Sequence, residues 1–98
     1  MVILACQEIE ALLDFSAATN AIKQDYISTN KGKVNTPPVG HITFSEQADY
    51  HIKYRHMKGD AYFVIKVATG FPKSSERNLP NGNEIPLLLS AETGALKA

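Results

Sequence analysis

One stretch decides the fold of this chain: AYFVIKVAT, from Ala61 to Thr69. It is apolar at both odd and even positions except at Lys66, a pattern typical of a strand that is covered on both faces. Before it, the sequence alternates between polar and apolar residues from His41 to Phe44 and again from His51 to His56. Turn residues at Lys58-Gly59-Asp60 separate the second segment from the long run, so the pattern predicts an antiparallel meander.

The first third of the chain predicts helices. Val2 to Leu4 is a short apolar segment and predicts a buried strand, and Gln7 to Leu13 then has apolar residues at helical spacing. Ser16 is a residue type that favours the N-cap of a second helix, which Asn30 and Gly32 are expected to end.

The remaining segments complete the sheet. Pro37-Pro38 disfavours helix and is expected to begin a strand, and Ser45 to Asp49 is predicted as a turn. Phe71 to Asn83 is rich in proline, glycine and polar residues and predicts an irregular surface loop. Ile85 to Ser90 predicts another strand, followed by a last strand at Ala95 to Ala98. We expect that strand to continue beyond Ala98 or to be completed by another chain.

The predicted fold class is therefore α+β. Two N-terminal helices pack on a mainly antiparallel sheet of about five to six strands. The length of 98 residues is enough for one hydrophobic core, so residues 1–98 are predicted to form a single domain.

Composition and missing motifs exclude several classes of function. Ten basic residues balance ten acidic residues, so no positive field favours nucleic acid as a partner. No apolar run approaches the roughly 20 residues that cross a bilayer, so no membrane association is expected. The single cysteine, Cys6, cannot form an intrachain disulfide and suits a cytoplasmic location. Without a glycine-rich phosphate loop, no cofactor and no NAD(P) binding is expected.

One face of a predicted strand is cationic. Period-2 alternation places His51, Lys53 and Arg55 on the same face. Such a face can bind a carboxylate or phosphate, although a solvated sheet face is the interpretation favoured by the usual exposure of these residue types. Lys66 interrupts an apolar run, so its ammonium needs an acidic partner or a bound anion unless it reaches water near the strand end.

The histidines do not form a metal-binding motif by their spacing. His41, His51 and His56 lack close helical spacing, and His51 and His56 fall on opposite strand faces. No metal site is predicted from these residues.

Four short stretches stand out by their order and spacing along essentially the whole chain. They are Val2-Ile3-Leu4 with Gln7-Glu8-Ile9, Pro37-Pro38, Phe63-Val64-Ile65-Lys66 with Gly70-Phe71-Pro72, and Pro86-Leu87-Leu88-Leu89-Ser90 leading through Thr93-Gly94 to Leu96. Together they resemble the N-terminal part of the ornithine cyclodeaminase and mu-crystallin family.

The resemblance implies a substrate-binding and dimer-forming domain, which in the family precedes a nucleotide-binding Rossmann domain. Lys66 matches the family lysine that contacts the substrate carboxylate. Where the family usually has an arginine after the proline, this chain has Val39-Gly40-His41, so His41 is a candidate in its place. Lys53 and Arg55 fall near positions that face the substrate in the family. Their positive charge would repel the ammonium of ornithine, so any ligand is expected to be more anionic than ornithine.

Two functions follow from these observations. The first is a stand-alone or truncated cyclodeaminase-like substrate-binding domain, not catalytically competent alone, that binds a small anionic ligand through Lys66, Lys53, Arg55 and His41. The alternative is a structural assembly module without a small-molecule ligand. In both cases a homodimer joined through the sheet is expected, because the two helices can cover only one side of it.

Overall fold

The computed structural model describes residues 1–44 and 47–98. Two α-helices precede a five-stranded antiparallel sheet, which confirms the predicted α+β class. The elements are α1 (Cys6–Leu12), α2 (Phe15–Asn30), β1 (Val34–Asn35), β2 (Gly40–Thr43), β3 (Asp49–Met57), β4 (Tyr62–Gly70), a 3-10 helix (Pro72–Arg77) and β5 (Gly82–Ser90).

The N-cap of the second helix lies two residues earlier than predicted. Asp14, not Ser16, is its N-cap: the Asp14 carboxylate accepts hydrogen bonds from the backbone N–H groups of Ser16 and Ala17 at 2.9 and 3.2 Å. An aspartate is preferred there because it satisfies free N–H groups of the first turn. The predicted end is confirmed, since the helix stops at Asn30 and Gly32 follows with a φ of 69°.

The sheet is built around β3, β4 and β5, which are consecutive in the chain and pair antiparallel. The predicted turn at Lys58-Gly59-Asp60 joins β3 to β4, and Gly59 has a φ of 93°, which glycine adopts without strain. The other edge of β3 carries both short strands: β2 pairs with its first half and β1 with its last residues. Of the turn predicted at Ser45 to Asp49, Ser45 and Glu46 lie outside the described residues, and Asp49 already belongs to β3.

Three predicted segments differ in the structure. Val2 to Leu4 is exposed and forms no strand, because only the Val2 N–H reaches a neighbour, the Lys97 carbonyl, at 2.7 Å. The loop predicted at Phe71 to Asn83 contains the 3-10 helix, and β5 starts within it at Gly82. The last strand is reduced to a single bridge between Leu89 and Leu96.

The two faces of the sheet differ in character. Directly opposed residues share a face, so the register places His51, Lys53, Arg55 and Lys66 together on what we call the cationic face. The other face, called the apolar face, is mostly hydrophobic. It includes Ile52, Tyr54, Phe63, Ile65, Val67, Ile85, Leu87 and Leu89.

Little of the hydrophobic surface is buried within one chain. No residue of the apolar face is fully buried, and Ala48 is the one buried hydrophobic residue among those described. The sequence predicted that β4 is covered on both faces. In the described part of this chain nothing buries the apolar face, so this chain alone does not provide that cover. Within residues 1–44 and 47–98, no helix is both long and apolar enough to span a bilayer.

Candidate functional site

A cavity of about 540 Å³ opens on the cationic face of the sheet. Its floor includes Lys53 and Arg55 from β3 and Lys66 from β4, and Asp25 of α2 contributes to its wall. The remaining side is formed by the connection between β1 and β2, including Pro37. Three of the four residues predicted as ligand-binding therefore lie around one cavity.

The connection between β1 and β2 is an interruption in one edge of the sheet. Residues 36–39 stand opposite residues 53–55 of β3, so four residues face three and the pairing register shifts by one between β1 and β2. An extra residue bends a strand away from its partner, as in a β-bulge. Pro37 and Pro38 have no N–H to donate to β3, which favours the separation. The cavity lies at this interruption.

Lys53 and Lys66 face each other across the floor of the cavity. They are direct partners in the register of β3 and β4, which places their Cβ atoms about 5 Å apart on one face. The Lys66 ammonium forms an ion pair with the Glu84 carboxylate at 3.4 Å, whereas Lys53 has no hydrogen bond or ion pair among the described residues. Two like charges at this position disfavour each other, and an anion between them would relieve the repulsion.

Arg55 is already engaged by the second helix. Its two terminal nitrogens donate to the Asp25 carboxylate at 3.0 Å and to the Thr29 hydroxyl at 2.9 Å. Its Nε is buried and has no hydrogen-bond partner in the described structure. Arg55 therefore connects α2 to the sheet and also lines the cavity. Lys53 and Lys66 are the cavity cations that α2 does not engage.

His41 lies outside the cavity lining. It is the direct partner of His51 between β2 and β3, and the two imidazole rings stack with centroids 4.5 Å apart and an interplanar angle of 9°. Asp49 lies beside both rings, with its Oδ2 3.5 Å from His41 Nε2 and 3.7 Å from His51 Nε2. Asp49 was predicted as part of a turn and not as a site residue, because residue spacing shows neither where a strand starts nor which residues pair across strands.

The cavity combines cationic and apolar surface. Besides the two lysines, Val39 and Tyr62 contribute to its lining, with Asp60 near them. Cations next to apolar side chains can hold a small carboxylate, the charges binding the acid group and the apolar atoms contacting its carbon skeleton.

Comparisons with known proteins show that the chain is similar to part of an alanine dehydrogenase. No known family profile matches the chain. An alanine dehydrogenase of Archaeoglobus fulgidus is 29% identical over 92 residues, which cover 94% of this chain and 28% of that protein. The structure of an archaeal alanine dehydrogenase dimer with bound NAD matches with a TM-score of 0.87 and 26% identity, over 97% of this chain and 29% of that one.

A second solved structure shares the fold alone. The Δ1-pyrroline-2-carboxylate reductase of Thermococcus litoralis, in complex with NADH and L-proline, matches with a TM-score of 0.89 and 19% identity, over 100% of this chain and 31% of that one. The chain thus spans less than a third of the length of these relatives. The comparisons support the predicted resemblance at the level of alanine dehydrogenase and ornithine cyclodeaminase-like proteins.

Proposed function

We propose that the chain is a binding domain for a small carboxylate, held in the cavity on the cationic face. The observation that carries this proposal is the direct opposition of Lys53 and Lys66 on the cavity floor. Glu84 forms an ion pair with Lys66, and Lys53 has no ion-pair partner among the described residues. An acid group placed between the two ammonium groups accepts hydrogen bonds from both.

The charge of the cavity favours ligands that carry more negative charge than an amino acid with a cationic side chain. Lys53 and Lys66 repel a second ammonium, so we expect an oxo acid or a dicarboxylic acid to bind better than ornithine. The similarity to an alanine dehydrogenase supports a ligand about the size of alanine. We further propose that the chain is not catalytic alone and binds no NADH, because its sequence lacks a glycine-rich strand-turn-helix unit for the pyrophosphate.

A thermal-shift titration tests the carboxylate proposal with pyruvate, succinate, phosphate, alanine and ornithine as probes. A ligand at 100 times its dissociation constant stabilises the folded state by about 2.7 kcal/mol. We expect this stabilisation from pyruvate or succinate and a smaller one from ornithine. Calorimetric titration with NADH is expected to give no heat of binding.

Replacing Lys66 with Met is the decisive variant. It is expected to abolish the carboxylate-induced shift and to leave the unliganded protein equally stable or slightly more stable, because an apolar side chain removes a charge that faces Lys53. Lys23→Met is the matched control, since Lys23 lies exposed on α2 away from the cavity. Unchanged binding in Lys66→Met would contradict the proposal.

A second candidate function is assembly of two copies through the apolar face. The specific observation is that Ile85 is 59% exposed and Tyr54 39% exposed on that face. Exposed apolar area of this extent is typical of protein interfaces. The similar alanine dehydrogenase structure is a dimer. This function is compatible with the cavity, which opens on the other side of the sheet.

A further inference from the structure

Two histidines and one aspartate converge at the end of the cationic face away from α2. His41 and His51 are direct cross-strand partners, and Asp49 precedes His51 by two residues on the same strand face. Neither histidine lines the cavity. We call these three residues the His-Asp cluster.

The Asp49 carboxylate lies close to both imidazoles of the His-Asp cluster. The Asp49 Oδ2 lies 3.5 Å from His41 Nε2 and 3.7 Å from His51 Nε2, and one ligand atom from each residue lies within 4.8 Å of the others. Hydrogen bonds from nitrogen to oxygen are about 2.7 to 3.2 Å long, so neither contact is one. Tetrahedral zinc with bonds of about 2.0 to 2.1 Å separates neighbouring ligand atoms by about 3.3 Å.

The backbone provides space for the carboxylate in this position. Asp49 is the direct partner of Gly70 on β4, and a Cβ at Gly70 would lie 3.0 Å from the Asp49 Oδ1. A glycine there lets the carboxylate lie against β4 with its other oxygen directed at the imidazoles. The side chains of His41, His51 and Asp49 are 47%, 35% and 34% exposed, so water can complete the coordination.

We propose that the His-Asp cluster binds a divalent transition metal ion of the zinc class, with His41, His51 and Asp49 as three ligands and water as the fourth. Imidazole nitrogen selects zinc over magnesium, and two imidazoles with one carboxylate are a ligand set that proteins use for zinc. This site is separate from the carboxylate cavity and does not depend on its function. The proposal differs from the expectation of no metal, which considered spacing along the chain but not pairing across strands.

Calorimetric titration of the untagged protein with zinc chloride tests the site. We expect one zinc ion per chain and no binding of magnesium chloride under the same conditions. Loss of an outer-shell partner of a metal ligand lowers affinity by about 10- to 100-fold. His41→Ala and His51→Ala, which remove ligands themselves, are therefore expected to lower zinc affinity by at least about 100-fold.

His56→Ala is the matched control. His56 lies on the same strand but on the opposite face, where its Nε2 contacts the Asp60 carbonyl, so its removal should leave zinc affinity unchanged. If an alanine variant does not fold, as judged by circular dichroism, Asp49→Asn serves in its place and must also weaken binding. Absence of zinc binding in the natural protein, or equal binding in the ligand variants and His56→Ala, would overturn the proposal.

Discussion

Arg55 joins α2 to the sheet through both of its terminal nitrogens, which contact Asp25 and Thr29. Sequence patterning placed Arg55 with Lys53 on one strand face but could not show that a helix far away in the chain would contact one of the two. A guanidinium can reach two acceptors at once because its donors are fixed in a planar fork. Because Arg55 is engaged by α2, Lys53 rather than Arg55 is available to bind a ligand.

Arg55→Lys is expected to destabilise the protein by about 1 kcal/mol, because a lysine ammonium cannot span Asp25 and Thr29 together. Urea unfolding followed by circular dichroism measures the change. Arg77→Lys is the control: Arg77 is exposed and has no hydrogen bond or ion pair in the described part of the chain. Equal stability of the two variants would show that the Asp25 contact contributes nothing.

Lys53→Glu is expected to stabilise the free protein by about 0.2 to 1 kcal/mol, because it replaces a like-charge pair with an opposite-charge pair facing Lys66. The same change should eliminate carboxylate binding. Chemical unfolding and thermal-shift titration with succinate measure the two effects. Lys53→Gln, which removes the charge without reversing it, should give an intermediate result for both.

The start of α2 depends on an aspartate that lies before the residue favoured by the sequence. Asp14→Ala is expected to cost about 1 kcal/mol of stability because the N–H groups of Ser16 and Ala17 lose their acceptor. Ser16→Ala should change stability little, since its hydroxyl makes no capping contact. Thermal unfolding of both variants tests whether Asp14 or Ser16 is the N-cap of α2. A larger loss of stability in Ser16→Ala than in Asp14→Ala would contradict the structure.

Elements with strong local patterns could be predicted, and those that depend on distant partners could not. β3 and β4 were predicted near their observed bounds, because alternation and turn residues are local signals, whereas β5 begins at Gly82 rather than at the predicted Ile85. Val2 to Leu4 was predicted as a buried strand and is exposed, since an apolar run indicates burial without showing what would bury it.

The site residues also differ in whether a local pattern reveals them. Lys66 could be singled out from the sequence because it interrupts an apolar run, whereas the meeting of His41 with Asp49 and His51 depends on the register between β2 and β3. Register is set by turns and packing across strands. The register therefore could not be predicted from the residue pattern of a single sequence.

At the scale of the whole molecule, the exposed apolar face predicts a dimer. We expect light scattering at micromolar concentration to give twice the mass of one chain, with about 800 Å² buried on each partner. Ile85→Lys should yield a monomer, because it places a charge on the apolar face that the two copies would share. Leu79→Lys is the matched control, as Leu79 and Ile85 are both 59% exposed but only Ile85 lies on the apolar face. A monomeric natural protein would exclude this assembly.

The interruption between β1 and β2 has a consequence for backbone protection. Lys53 to Arg55 have a strand neighbour in β4 but none on their other edge among the described residues, whereas Ile52 just before them is paired on both edges. Amide hydrogens that point to this edge should exchange with deuterated water faster than the flanking amides of the same strand. A carboxylate that fills the adjacent cavity should slow their exchange, so deuterium uptake at the amides of Lys53 to Arg55 that point to this edge would report occupancy of the site without any mutation.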